Sequence, residues 1–242
     1  TNGATLKNYD FAVVITDEYE AGNGGGAAAI AVALTTVNDI SAIYKRDLAV
    51  TFTATIRPET ISFDIVPAGP NPDYGGTCVA AYFSSSEYDL GQLFHKTTSG
   101  GGSGVAYVGV VCTNSGTPPF KSRSWSQAGT NVGYGFLSIV AHEMAHMFSA
   151  SHSFNSNTSG CGPQRSNANS YEPGGGTTFM AYPGVCPGEN ITDQSGNIIY
   201  SSSPYFHVRS IEQMVSFITS TSGNSCASGT STNNTPPVAI AN

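Results

Sequence analysis

Charged side chains are scarce in this chain of 242 residues, at 10% of the total, whereas soluble proteins carry about 25% on average. There are 9 Lys and Arg residues against 16 Asp and Glu, and the basic residues form no cluster. Nucleic-acid binding needs a basic face and binding to an acidic membrane surface needs a basic patch. We therefore expect neither nucleic acid nor a membrane as a partner.

Long apolar runs and the C-x-x-C motif are also missing. We find no stretch of about 18 apolar residues, so we expect a soluble domain. The absence of a C-x-x-C pair disfavours a cysteine zinc knuckle or a thioredoxin-like site. The 5 cysteines instead suggest two disulfides and one free thiol in an extracellular protein. We interpret the start at Thr1, without Met or signal peptide, as a mature form that has lost its targeting segment and any pro-segment.

Apolar patterns predict alternating strands and helices in the first part of the chain. Short β-branched runs at residues 10–15, 48–56 and 61–66 are typical of buried strands. Apolar side chains recur at intervals of three and four across residues 27–43, which predicts an amphipathic helix. Such alternation favours a mostly parallel sheet with helices packed on it.

The later part of the chain is predicted to contain more loops. We expect a loop at residues 67–86, a short helix at 88–96, and a strand at 104–111 that lies either in the core or at a substrate-binding edge. Further helices are predicted at residues 136–149 and 210–219.

The predicted elements suggest one domain with a tail. The domain covers residues 1–226, with an upper subdomain to about residue 152 and a lower, irregular subdomain after it. Residues 227–242 are rich in Ser, Thr, Asn and Pro, which is typical of a linker or tail.

The segment His142-Glu143-Met144-Ala145-His146 lies in one of the predicted helices. Residues four apart project from the same helix face, so both imidazoles can bind one zinc ion. Catalytic zinc usually has three protein ligands, and His152 is the candidate for the third. A continuous helix would turn His152 away, so the chain must break after His146 and loop back.

Glu143 is placed beside the two helical imidazoles, where it can reach a water molecule on the metal. Zinc lowers the pKa of that water towards about 7 and polarises the scissile carbonyl group. Glu143 then accepts the proton of the water and passes it to the leaving amine. The chain has no G-x-S-x-G elbow, which disfavours a serine hydrolase.

The segment HEMAHMFSASH, from His142 to His152, resembles the metzincin signature H-E-x-x-H-x-x-G-x-x-H of zinc endopeptidases. Residues 177–182, TTFMAY, look like the Met-turn of that family, and residues 104–112 look most like its adamalysin, or reprolysin, branch in a bacterial-type form. The resemblance covers roughly residues 8–220. It implies an α/β catalytic domain with a twisted, mostly parallel five-stranded sheet, helices above the cleft, a loop-rich lower subdomain and a C-terminal helix.

The resemblance also implies roles for residues around the metal. Met180 would form an apolar floor below it. Tyr182 would lie near the zinc, where its hydroxyl could bind the metal or stabilise the oxyanion. An extended substrate would pair with an edge strand, and residues 182–185 would help to wall the S1′ pocket. The implied edge residues are Ala106, Tyr107, Val108 and Gly109.

A structural calcium site and two disulfides follow from the same resemblance. Asp89 matches a position that helps to bind calcium in some adamalysins, and Asp10 could join it. Cys161 and Cys186 flank the Met-turn and would pair.

Cys112 and Cys226 would pair as in related enzymes. Cys78 is left over, and it could instead pair with Cys112 or with a removed segment.

Two positions depart from the family pattern. Ser149 stands at the signature glycine, where a left-handed conformation costs a serine roughly 1 kcal/mol. Ser153 stands where adamalysins often have Asp. If Ser149 prevented the turn, Glu172 could replace His152 as the third ligand, because it follows His146 by the 26 residues found in thermolysin-like peptidases.

The sequence therefore predicts a secreted, monomeric zinc endopeptidase that cleaves proteins or peptides and matures from a form with an N-terminal pro-segment. Two alternatives stay open: a non-catalytic zinc-binding module for adhesion or partner binding, and a thermolysin-like peptidase that uses Glu172. The intact Glu143 disfavours the first alternative, because a pure binding site does not need a base. His95 and His207 lack metal-ligand spacing and are expected to be structural.

Overall fold

The computed structural model describes residues 3–59, 71–97, 102–129, 134–158, 160–220, 222–232 and 234. The strand expected at residues 61–66 and residues 235–242 of the expected tail lie outside these ranges.

The described residues form one six-stranded sheet. Its strands are β1 (Thr5–Ile15), β2 (Val50–Pro58), β3 (Leu90–Lys96), β4 (Ser103–Ala106), β5 (Ser124–Ala128) and β6 (Ser228–Ser231). The strand order is β2-β1-β3-β5-β4, and β6 pairs with β1 outside this path. Strands β1, β2, β3 and β5 run parallel, whereas β4 and β6 are antiparallel to their neighbours. The expected α/β class with a mostly parallel sheet is confirmed, with β6 added to the five strands.

Within the described ranges, five α-helices accompany the sheet: α1 (Asp17–Gly22), α2 (Gly26–Leu48), α3 (Asp73–Tyr82), α4 (Tyr134–Met147) and α5 (Val208–Ser220). The helices α2, α4 and α5 confirm the three strongest periodic patterns of the sequence. Tyr44 of α2 is fully buried, and its hydroxyl donates a hydrogen bond of 3.0 Å to Ala141 O of α4. Its ring packs with Phe148, directly after α4, so the core fixes α4 against α2.

The short helix expected at residues 88–96 was wrong, because residues 90–96 form the central strand β3. Leu90, Leu93 and Phe94 recur at intervals of three and four, which imitates a helix. The strand pairs with β1 on one side and β5 on the other, and almost all of it is buried. A parallel strand covered on both faces has no alternating pattern that would identify it.

The loop expected at residues 67–86 was also wrong in part, because α3 occupies residues 73–82. Gly75 and Gly76 suggested a loop, but they allow α3 to approach the sheet closely. A Cβ atom at Gly75 would lie 1.8 Å from Ser124 O of β5. These glycines therefore serve packing between a helix and a strand.

Among the described residues, α2 is the one helix long and apolar enough to cross a membrane by length and composition. This differs from the expectation that the chain has no such stretch. In the fold, α2 packs one face into the main core. The buried members of that face are Ala29, Ala33, Val37, Ile40, Tyr44 and Leu48.

Both expected disulfides are present, between Cys112 and Cys226 and between Cys161 and Cys186. Cys78 is buried and free, so its alternative pairing with Cys112 was wrong. Burial raises the pKa of the Cys78 thiol to about 12. Because β6 begins two residues after Cys226 and pairs with β1, residues 228–231 of the expected tail belong to the sheet.

Candidate metal centre

The helix α4 brings His142 and His146 onto one face, at the boundary between the sheet and the irregular lower part. His142 has 8% of its surface exposed and Glu143 has 5%. The centroids of the two imidazole rings lie 4.7 Å apart. The spacing of four residues therefore produces the expected paired donors.

The break after α4 is a Schellman motif centred on Ser149. The Ser149 amide donates to His146 O at 2.7 Å, and the Ala150 amide donates to Ala145 O at 2.8 Å. Ser149 has a φ angle of 78°, in the left-handed region that favours glycine. The serine thus takes the conformation of the glycine in the family signature, and the chain turns back towards the helix.

The turn returns His152 to the two helical imidazoles. Its Nε2 atom lies 3.1 Å from Nε2 of His142 and 3.1 Å from Nε2 of His146. In the described part of the chain, these three histidines are the one cluster of His, Cys, Asp or Glu side chains able to hold a metal ion.

The hydrogen bonds of the outer ring nitrogens decide which tautomer each imidazole adopts. Each Nδ1 atom faces a backbone carbonyl oxygen, which can only accept, so each Nδ1 must donate. The acceptors are Phe179 O at 2.6 Å from His142, Ala150 O at 2.7 Å from His146, and Gln164 O at 2.6 Å from His152. All three Nε2 atoms are consequently left with lone pairs directed at one another.

Three converging lone pairs repel one another unless a cation lies between them, so the donor set fits a metal ion. Nitrogen atoms bound to one tetrahedral zinc at 2.0–2.1 Å would lie about 3.3 Å apart, close to the observed separations. The pKa values agree with neutral ligands. Burial lowers the pKa of His146 to about 3, lowers that of His142 well below its ordinary value, and lowers that of His152.

Glu143 lies between α4 and the edge strand β4. A Cβ atom at Gly104 would lie 2.6 Å from Oε1 of Glu143, so only a glycine leaves room for this carboxyl group. Burial raises the pKa of Glu143 to about 8. A divalent cation at the neighbouring imidazoles would favour the ionised carboxylate and oppose that shift. The sequence placed Gly104 at the start of a predicted strand but did not indicate its contact with Glu143, because the contact joins distant segments.

Tyr182 lies against the imidazole cluster. Its ring centroid is 4.7 Å from that of His152 and 5.9 Å from that of His142, and its ring stacks on Phe154. Burial, followed by the charge of Glu143, raises the pKa of Tyr182 to about 12. The hydroxyl therefore keeps its proton at neutral pH and can donate a hydrogen bond.

The Met-turn, residues 177–182, packs beside the cluster. Met180 is fully buried in the main core, and its carbonyl oxygen accepts a hydrogen bond of 2.9 Å from the Ser153 amide. The neighbouring Phe179 carbonyl accepts from His142. The turn thus contacts both parts of the zinc motif through its backbone.

The edge strand lies slightly earlier in the sequence than expected. Of the four implied substrate residues, only Ala106 belongs to β4. Tyr107 donates its amide to Arg123 O, and Val108 follows outside the strand with 53% of its surface exposed. Gly109, at a φ angle of 69°, donates its amide to His146 O. The chain leaves the sheet here because its amides bind the free carbonyl groups at the end of α4.

Glu172, the alternative third ligand, does not belong to the imidazole cluster. Its carboxylate accepts hydrogen bonds from the Ser153 hydroxyl and from the amides of Thr177 and Thr178. His152 occupies the third position instead, so the arrangement with Glu172 as a metal ligand was wrong.

The described residues give no support to the calcium site expected at Asp10 and Asp89. Asp89 accepts a hydrogen bond of 2.8 Å from the Asp10 amide, but within the described ranges these two acids belong to no cluster of three possible ligands. The buried ammonium group of Lys121 donates to the carbonyl oxygens of Ser85 and Tyr88 beside Asp89. Burial raises the pKa of Asp89, and the positive charge of Lys121 acts in the opposite direction.

The two other histidines lie outside the cluster, as expected for structural residues. His95 is buried, with Nδ1 3.0 Å from the Thr16 hydroxyl. His207 stacks on Tyr171 and accepts the Arg209 amide at Nδ1.

Three convergent neutral imidazoles, a carboxyl group beside them and an adjacent edge strand on a mostly parallel sheet define a metallopeptidase catalytic domain of the metzincin class. The chain belongs to metallopeptidase family M12: the family described as "Reprolysin_5: Metallo-peptidase family M12" matches residues 5–195. Peptidases of this family use zinc.

Two solved structures align with most of the chain. Metalloproteinase-II from Bacteroides fragilis shares 12% sequence identity at a TM-score of 0.49, over 90% of this chain and 55% of that one. A structure of a chaperone-substrate complex shares 13% identity at a TM-score of 0.46, over 86% of this chain and 33% of the other. The chain thus spans about half and about a third of these two proteins. No curated protein matches it.

The left-handed conformation of Ser149 predicts opposite results for two substitutions. Ser149→Gly should be at least as stable as the wild type, because glycine adopts positive φ without a steric cost. Ser149→Val should lower the free energy of unfolding by about 1–2 kcal/mol, since a β-branched residue is strained at this angle. Urea denaturation of the metal-free proteins measures both changes. Equal stability of the two variants would contradict the turn described here.

Proposed function

We propose that the chain is the catalytic domain of a secreted zinc endopeptidase, with His142, His146 and His152 as the zinc ligands. The observation that carries this proposal is the convergence of three unprotonated Nε2 atoms beside the carboxyl group of Glu143. Three protein ligands leave one position of a tetrahedral zinc open, which is the arrangement of a catalytic site.

Zinc supplies a Lewis acid, which polarises the scissile carbonyl group and makes a water molecule easier to deprotonate. Glu143 accepts a proton from the attacking water and donates it to the amine that leaves. The absence of a side chain at Gly104 leaves room for the carboxyl group beside β4.

Tyr182 is proposed to stabilise the oxyanion that develops on the scissile carbonyl oxygen. Its place beside the imidazoles and its raised pKa support a hydroxyl that stays protonated and can donate. Stacking on Phe154 holds the ring in this place.

An extended peptide is proposed to bind along β4, which forms the open edge of the sheet. Among the described residues β4 pairs with β5 alone, so its other edge offers backbone groups for strand addition. The substrate would pair with residues of Ser103–Ala106, a segment that begins three residues earlier than the one implied by the resemblance. This strand runs past Glu143, so a peptide bound to it would lie next to the metal site.

The alternative of a non-catalytic zinc-binding module uses the same three ligands. It differs in having no need for Glu143 or for the glycine that makes room for it. The presence of both residues favours catalysis. A thermolysin-like arrangement is not proposed, because Glu172 is bound elsewhere.

Secretion is supported by the two disulfides, which persist in oxidising compartments. The monomeric state and the N-terminal pro-segment stay predictions from the sequence.

Removal of the base tests catalysis directly. Glu143→Gln should retain one zinc ion per chain but lose roughly 10²–10⁴-fold in kcat/KM on casein, since general-base catalysis contributes about that factor. Glu212→Gln removes an equal charge from the exposed face of α5 and serves as the control, with activity unchanged. A zinc chelator should abolish activity of both the wild type and the control. Full activity of zinc-loaded Glu143→Gln would contradict the role of Glu143 as the base, whereas a zinc-loaded wild type without any activity would favour the binding module.

The cavity beside Glu143 predicts a preference for uncharged side chains on the amine side of the scissile bond. It has a volume of about 580 Å³, and its described lining contains no Lys or Arg. The apolar walls are formed by Phe136, Ile139, Phe179, Val185 and Tyr200. An acidic side chain would meet no counter-charge there, and burying an unpaired charge is costly.

Cleavage of a peptide library, with products identified by mass spectrometry, measures this preference. We expect Leu, Met or Phe at that position to exceed Asp and Glu by roughly tenfold or more in kcat/KM. Equal cleavage before acidic and apolar residues would contradict the assignment of this cavity to the substrate.

A further inference from the structure

Glu172 is a buried carboxylate that lies outside the proposed catalytic machinery. Glu172 has 6% of its surface exposed. Among the described residues, its carboxylate is bonded to no Lys or Arg. Four donors surround it instead. The amides of Thr177 and Thr178 donate to Oε2 at 2.7 and 3.0 Å, and the hydroxyls of Ser153 and Thr178 donate to Oε1.

These donors belong to the two segments that complete the metal centre. Ser153 follows His152 directly in sequence, so the bond from its hydroxyl restrains the segment that carries the third imidazole. The backbone repeats this link, because the Glu172 amide donates to Ser153 O at 2.8 Å.

Thr177 and Thr178 begin the Met-turn on the other side of the carboxylate. Phe179 comes next, and its carbonyl oxygen is the acceptor for Nδ1 of His142. The Ser153 amide closes the ring of contacts by donating to Met180 O at 2.9 Å. One carboxylate therefore holds together the segment of His152 and the turn that orients His142.

We propose that Glu172 is a positioning residue for the zinc centre, which clamps the His152 segment to the Met-turn. The inference rests on the proposed function in taking the three imidazoles as zinc ligands. Glu172 touches neither the metal cluster nor the proposed substrate cavity, so its effect passes through Ser153 and Thr178. Groups that orient metal ligands from the outer shell commonly change metal affinity by 10–100-fold when removed.

The chemistry of the four donors predicts how conservative a replacement can be. Two of them are amides, which can only donate, and both face Oε2. The other two are hydroxyls, which can rotate and accept instead. A glutamine at 172 can therefore direct its oxygen to the amides and its NH₂ group to the hydroxyls. Alanine leaves all four donors without a partner in a buried site.

The experiment compares the full chain with Glu172→Ala, Glu172→Gln and Ser153→Ala. Zinc affinity is measured by competition with a chromophoric chelator, and ligand geometry by the visible spectrum of the cobalt-substituted protein. Gln92→Ala is the matched control. Gln92 is also a fully buried polar side chain that joins two segments, through Ser124 and Ser126, but it does so within the sheet.

We expect Glu172→Ala to weaken zinc binding about 10–100-fold and to change the cobalt spectrum. Glu172→Gln should restore both to near the wild-type values. Ser153→Ala should weaken binding by a smaller factor, because it removes one of the four bonds. Gln92→Ala should keep the wild-type zinc affinity and spectrum even where it lowers thermal stability.

A folded Glu172→Ala variant with wild-type zinc affinity and cobalt spectrum would overturn the proposal. If that variant does not fold, the test rests on Ser153→Ala. An unchanged zinc affinity of Ser153→Ala would then overturn the proposal. The proposed function fails separately: a wild-type protein that binds zinc without cleaving peptides would refute catalysis but leave the role of Glu172 standing.

Discussion

The reversal of the chain at the end of α4 is the constraint on which the metal centre depends. Two histidines on one helix face are fixed by helical geometry alone, but the third must come from a segment that has left the helix. The Schellman bonds at Ser149 end the helix within one turn and point the following residues back towards its face. A serine at positive φ has a higher conformational energy than a glycine, so other contacts must stabilise the turn by at least that amount. The amide of Gly109, bound to His146 O, and the buried ring of Phe148 both stabilise this end of α4.

The orientation of each imidazole depends in turn on backbone carbonyl groups from three different places. His146 uses the turn that follows its own helix, His152 uses Gln164 of the lower part, and His142 uses the Met-turn. The loop-rich lower part thus contributes directly to the orientation of the imidazoles. Its folded backbone determines which nitrogen of two ligands carries a proton, and the disulfide between Cys161 and Cys186 ties this part together.

The sequence predicted the convergence of the three histidines and the fold class well, because they follow from helical spacing, a specific motif and apolar patterns. The two disulfides were implied by the family resemblance and not by the residues alone. The sequence predicted β3 and α3 poorly, because their identity depends on what covers them. A strand buried on both faces has no alternation, and the glycines of α3 serve close packing on β5. Gly104 and Glu172 were misjudged for the same reason. The space that Gly104 leaves beside Glu143 and the four donors around the Glu172 carboxylate become evident only in the folded structure, because they involve segments that are distant in sequence.

The most direct test is an anomalous-diffraction map of crystals of the zinc-loaded protein, recorded on both sides of the zinc absorption edge. We expect a single strong peak per chain, about 2.0–2.1 Å from the Nε2 atoms of His142, His146 and His152, with the Glu172 carboxylate still bound to Ser153 and the Met-turn. A zinc peak coordinated by Glu172, or a ring of His152 turned away from the metal, would contradict the structure of the centre described above.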